Sequence, residues 1–189
     1  MGIKILSGNG DGFEADVNKD KRLLTSTENF QAIAIASAKG NAFFAHSGFV
    51  ALTSVGVNNG ILWIKNESSN KNFRIGRLVI SGTMVQKWRV VKGATTGTLI
   101  TAGTLAVPDN ANFQSGTIFS GQMRRGADGL TVTDGKSISH WVNDVGTITF
   151  EWGGAVLLGT NDTISFECDP AVAGDVHVSV FGHSEDQES

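Results

Sequence analysis

Short alternating segments, punctuated by glycine, asparagine and aspartate, constrain this chain more than any other feature of its sequence. From about residue 42 onward, apolar and polar residues alternate for a few positions and then stop at a turn-forming residue. A β-strand sends successive side chains to opposite faces, so alternation marks a strand with one face in a core and the other outside it. Many such strands at close spacing predict an antiparallel sandwich or barrel. The clearest lies in Asp175 to Phe181, where Val176, Val178 and Val180 share one face and His177 and Ser179 the other. Thr163 to Cys168, Gly146 to Trp152 and Met84 to Val91 alternate similarly, with Trp88 and Val90 opposing Lys87 and Arg89. The polar sides are expected in water. There are 24 Gly but only 2 Pro in 189 residues; Gly is near twice its usual share of ~7% and supplies the turns.

The expected fold is therefore all-β, an antiparallel β-sandwich of jelly-roll-like form over residues 27–183. Residues 1–26 are polar and turn-rich, with Gly8-Asn9-Gly10-Asp11-Gly12 and Asn18-Lys19-Asp20-Lys21-Arg22, and read as an extended N-terminal arm. Residues 184–189 read as an acidic, disordered tail. Asp134-Gly135, between Leu130–Thr133 and Ser137–Ser139, predicts a two-residue type I′ hairpin. Ile61–Ile64 predicts a strand paired with Phe73–Ile80 across the loop 67–71. In that second segment the apolar phase slips from odd to even numbers near Gly76, which predicts a β-bulge there. Thr27 to Lys39 has helix-forming Glu28, Gln31 and alanines. Ile33 and Ile35 alternate with alanine without an i, i+3, i+4 stripe, so the reading is an extended strand, with helix as the alternative.

Composition also excludes functions. A net charge of -3 provides no basic field, so nucleic acid is not an expected partner. Cys168 is the only cysteine, which rules out an intrachain disulfide, and its alternation with Ile164 and Phe166 predicts a buried small hydrophobe. The apolar stretch in Met1 to Gly8 is too short for a signal peptide, and no run reaches the ~20 apolar residues of a membrane span. The reading is a soluble protein folded in a reducing cytoplasm, without a membrane partner.

The candidate chemical motifs each fail on spacing. Gly129 to Ser137 imitates a phosphate loop but holds five residues between its glycines rather than four, and a strand pattern follows instead of a helix. Gly8 to Gly12 imitates a dinucleotide turn but has Phe13 where the third glycine belongs. Asp16 to Asp20 opens like a calcium loop, then places Lys21 at the glycine position and Thr27 at the glutamate position. His46, His140, His177 and His183 have no metal-ligand spacing. There is no Gly-x-Ser-x-Gly elbow, and no particular carboxylate pair is indicated. Trp63 belongs in the core; Trp88, Trp141 and Trp152 fit inward strand positions or, alternatively, a sugar-stacking platform. Asn66-Glu67-Ser68 and Asn161-Asp162-Thr163 match the glycosylation sequon and read as turns. The expectation is no catalytic residue, no metal and no cofactor: not an enzyme.

One resemblance supplies a function. Ser37-Ala38-Lys39-Gly40-Asn41-Ala42-Phe43, then Ser47-Gly48-Phe49-Val50-Ala51-Leu52-Thr53, then Gly60-Ile61-Leu62-Trp63-Ile64-Lys65-Asn66-Glu67 resemble a family of small virion structural proteins of tailed bacteriophages. Ile75 to Ser81, Gly93 to Thr98, Gly135-Lys136-Ser137 and the pattern from Leu158 through Pro170 to Val180 extend the likeness over roughly residues 25–182. The resemblance implies a β-sandwich carried on the virion, made in the host cytoplasm and seated on the outer capsid surface as a decoration or cement protein. Its implied partners are the major capsid protein and other copies of itself, as a trimer. The arm would reach a neighbour, with Ile3, Ile5, Phe13, Lys19, Lys21, Arg22, Leu23 and Leu24 as candidate contacts. A head–tail or tail component, or a carbohydrate-binding host-recognition module using the tryptophans, are the alternatives.

Overall fold

The computed structural model describes residues 34–187, so the arm residues Ile3 to Leu24 and the calcium-like segment lie outside the described residues. Residues 34–38 (α1) are helical, which corrects the extended reading at that point. Alanine at 34, 36 and 38 has the best intrinsic helix propensity, and this outweighs the Ile–Ala alternation. The turn closes with Lys39 N donating to Ile35 O at 3.0 Å and Asn41 N to Ala36 O at 2.7 Å.

Eight strands form the framework: β1 (Ala42–His46), β3 (Asn59–Asn66), β4 (Lys71–Gly82), β5 (Gln86–Lys92), β9 (Lys136–Asn143), β10 (Gly146–Leu158), β11 (Thr163–Pro170) and β12 (Gly174–Asp186). Sheet one has the order β10-β4-β12-β1, extended by β7 (Asp109–Asn110), with β2 (Val50–Leu52) beside β12. Sheet two has the order β6-β8-β3-β11-β5-β9, where β6 is Thr104–Ala106 and β8 is Gly121–Arg125. Each framework strand lies in the opposite sheet from the one before it, except β9, which stays in sheet two beside β5. The resulting orders, β1-β12-β4-β10 against β3-β11-β5-β9, are those of a jelly roll, in which every pairing is antiparallel and long-range.

This topology corrects the expected pairing of β3 with β4. The two are consecutive strands facing one core from opposite sides, and an apolar face reports that a strand meets the core without reporting from which side. The bulge is where the phase slip places it: Arg77 pairs with Phe181 and Ile75 with Gly182, so Gly76 is passed over. Skipping one residue restores the inward face, and Phe73, Ile75, Leu78 and Ile80 are all fully buried.

The hairpin expected at Asp134-Gly135 is absent. Residues 130–133 are not a strand, and β9 pairs with β5 instead. A type I′ turn needs positive φ at both central residues; Gly135 has φ +92°, but Asn161 is the only non-glycine residue with positive φ among those described. The start of the expected tail is corrected as well: Ser184, Glu185 and Asp186 continue β12 and pair with Phe73, Asn72 and Lys71, and Glu185 Oε1 lies 2.6 Å from Arg74 Nη2, while residues 188–189 lie outside the described residues.

Between the sheets, Leu62, Ile64, Phe73, Ile75, Leu78, Ile80, Val90, Phe166, Val178 and Val180 are buried together. Each such side chain contributes about 1.5–3 kcal/mol relative to exposure. Cys168 joins them as expected, and its burial pushes the thiol up to about 12.

Sheet two is also covered on its outer face, by a strap of residues 126–135 and the short helix α2 (Thr98–Ala102). Trp63, Val91, Ala94, Leu99 and Val132 form a second small cluster there, and Trp63 Nε1 donates to Ala94 O at 2.9 Å. Ser165 and Glu167 are consequently buried, contrary to the solvated polar side expected for β11; Glu167 pairs with Arg89. Two aspartates tie the strap down. Asp128 accepts hydrogen bonds from the backbone and hydroxyl groups of Thr53 and Ser54, and Asp134 likewise from Thr95, with the Thr96 backbone. These donors hold both carboxyls at about 2, well below the ordinary 3.8.

Candidate functional site

The ends of the sandwich differ. At the end where β3 finishes and β4 begins, Phe119 fills the opening edge-on to Phe43 and Phe73, with ring centroids 5.5 and 4.9 Å away. Beside it the buried Asn66 amide donates to Lys71 O at 2.8 Å and Leu158 O at 2.9 Å, while Asn66 Oδ1 accepts from Ser68 N. One buried nitrogen near this end, His183 Nδ1 on β12, has no hydrogen-bond partner among the described residues.

The other end is formed by the loops that follow β2, β4, β9 and β11. Gln86 pairs in register with Asn143 and Pro170, and Gly82 with Gly146 and Val176, which brings these loops side by side. The loops present Val55, Val85, Val145 and Val172, and the end of β9 adds Val142, from 41% exposed at Val85 to 67% at Val145. Val55, Val85 and Val142 line a dimple of about 180 Å³ with Pro170 and Ala171. Beneath it, the buried Gln86 Oε1 and Asn143 Nδ2 have no hydrogen-bond partner among the described residues. The next pair inward, Trp88 and Trp141, leaves both indole N–H groups unpaired as well. A buried polar group without a partner costs about 1–3 kcal/mol, so such groups are rare and informative. Clustered exposed valines above clustered unpaired polar groups describe a surface that something else completes.

The other sequence candidates are placed as follows. Trp63 and Trp88 are buried, while Trp141 and Trp152 are half-buried against the core beside Phe150 and Phe166, so these tryptophans pack rather than form an exposed platform. Gly129 to Ser137 belongs to the strap and the start of β9. Asn66 is buried, and Asn161 occupies a turn at φ 64°. His183 is buried, which lowers its pKa from the ordinary value, and His140 lies on exposed β9 with Nε2 3.2 Å from Ser137 Oγ. His46 and His177, 131 positions apart in sequence, stack with ring centroids 6.4 Å apart. Among the described residues no three His, Cys, Asp or Glu side chains are grouped to hold a metal ion. The carboxylates of Glu151, Glu167 and Glu185 each pair with an arginine.

Sequence reasoning missed the valine end. A signal existed, because Val55, Val85, Val145 and Val172 all stand in turn segments where polar residues are the norm. Their convergence depends on strand order. Comparison with protein-family models, curated proteins and solved structures finds no match to this chain.

Proposed function

We propose that this chain is a structural protein of a tailed-bacteriophage virion, seated on the outer capsid surface as a decoration protein that stabilises the head. Its partners in this reading are the major capsid protein and further copies of itself, arranged as a trimer on the lattice. The resemblance in residues 37–53 and 60–67 supports the class; those segments include β1, β2 and β3 of the jelly roll. The fold hosts both capsid and lectin domains and does not decide between functions by itself. The observation that carries the attachment role is the valine end, where four exposed valines on adjacent loops and Val142 at the end of β9 offer a foot for a protein surface. Many identical feet on a repeating lattice would give avidity from modest single contacts.

The test is the copy number and position of the protein in purified particles. Many copies spread over the head are expected. A few copies at one vertex would replace this reading with the head–tail or tail role. A second arm of the experiment deletes residues 1–26 and measures occupancy on purified capsids; undiminished occupancy would remove the arm from the attachment.

A further inference from the structure

The outer face of sheet one carries a second feature, separate from the valine end. A groove of about 560 Å³ is lined by Phe44 and His46 on β1, His177 and Ser179 on β12, and Asp109 and Phe113 at and after β7. Phe113 is 95% exposed at its rim. Phe49, 82% exposed, leans against His177 with ring centroids 5.5 Å apart. A phenyl ring left wholly in water gains nothing from folding, yet the loop that presents Phe113 is firmly held. Asn110 Nδ2 donates to Gly40 O at 2.7 Å and Thr117 O at 2.8 Å. Asn110 Oδ1 accepts from Asn112 N, and Asn112 Oδ1 from Gln114 N. A loop fixed in advance spares a ligand part of the ordering cost of binding.

The lining chemistry narrows the occupant. A metal ion is disfavoured because Gly48 N bonds His46 Nδ1 at 3.2 Å and the cationic Arg125 Nη2 lies 3.0 Å from Nε2. An anion would meet the carboxylate of Asp109, whose Oδ2 lies 3.6 Å from His46 Nε2. A wholly apolar chain would strip water from Asp109, His177 and Ser179 without replacing their hydrogen bonds. A pyranose fits all of these at once, since its C–H face lies against an aromatic ring while its hydroxyls meet a carboxylate, an imidazole and a serine. Burial and the neighbouring His46 lower the pKa of His177, which favours the neutral imidazole that can accept from a hydroxyl.

We propose that this groove binds one neutral pyranose unit of a glycan, its apolar face on Phe113 and its hydroxyls on Asp109 and His177. The site does not depend on where the protein sits in a virion. The test is an NMR titration of the isotope-labelled full chain with methyl glycosides of glucose, galactose, mannose, N-acetylglucosamine and rhamnose at millimolar concentrations. At least one should shift the ring resonances of His46 and His177. Phe113→Ala and Asp109→Asn should each weaken that response by about tenfold, and both side chains are exposed enough for the variants to keep the fold. Silence from all five glycosides, or a response that survives both substitutions, would overturn the proposal.

Discussion

At one end of the jelly roll, Phe119 plugs the core and Asn66 binds the passing carbonyls. At the other, Val55, Val85, Val142, Val145 and Val172 are exposed above Gln86 Oε1 and Asn143 Nδ2, buried atoms with no hydrogen-bond partner among the described residues. Both ends close the same sandwich with loops between antiparallel strands, so the contrast is not forced by the fold. A folded chain ordinarily satisfies its buried polar groups. An end that leaves several unsatisfied beneath an apolar cap has the character of half an interface.

The largest expected effect lies at the sealed end. Phe119→Ala removes a ring packed against two others and should cost about 3–5 kcal/mol in chemical denaturation. A loss under about 1 kcal/mol there would erase the contrast. Next comes a matched pair. Asn66→Ala leaves buried carbonyls without a donor and should cost about 2–3 kcal/mol. Gln86→Met removes an Oε1 that lacks a partner together with an Nε2 that donates to Asp144 O at 3.3 Å, and the two changes offset, so stability should fall within about 1 kcal/mol of the parent. Equal losses at the two positions would show that the Gln86 side chain is satisfied.

A smaller effect concerns the strap, which Asp128 and Asp134 tie down. Their folded pKa values, about 2, lie below the ordinary 3.8, so the charged forms favour the folded state. Their contribution is complete above the ordinary value and is lost as pH falls through about 2. Hydrogen exchange at the Trp63 indole, which bonds Ala94 O beneath the strap, should quicken across that window. In the Asp128→Asn, Asp134→Asn double variant the exchange should already be faster at neutral pH and lose that pH step. An unchanged profile would mean that the strap is held by its apolar contacts alone.

The alternation of valines in β12 and the phase slip at Gly76 were legible because each is a local consequence of a two-residue period. Strand partners were not legible, since the apolar faces of β3 and β4 look alike whether the strands are neighbours or face each other across the core. Ser165 and Glu167 read as solvated because the strap covering them comes from residues far along the chain. Asp134-Gly135 resembles a hairpin turn, yet the aspartate carboxylate is spent on Thr95 and Thr96. The same limit hid both surface features. His46 and His177 meet only through the β1–β12 pairing, and the valines meet only where four loops converge.

The central claim is that the valine end is the attachment foot, and capsid occupancy of a Val85→Glu, Val142→Glu variant tests it most directly. Val142 is 65% exposed and Val85 41%, so stability should change by no more than about 1 kcal/mol at each site. Two charges in the dimple should reduce occupancy on purified capsids by at least tenfold while the isolated protein melts as the parent does. Occupancy equal to the parent's, with the fold intact, would contradict the account.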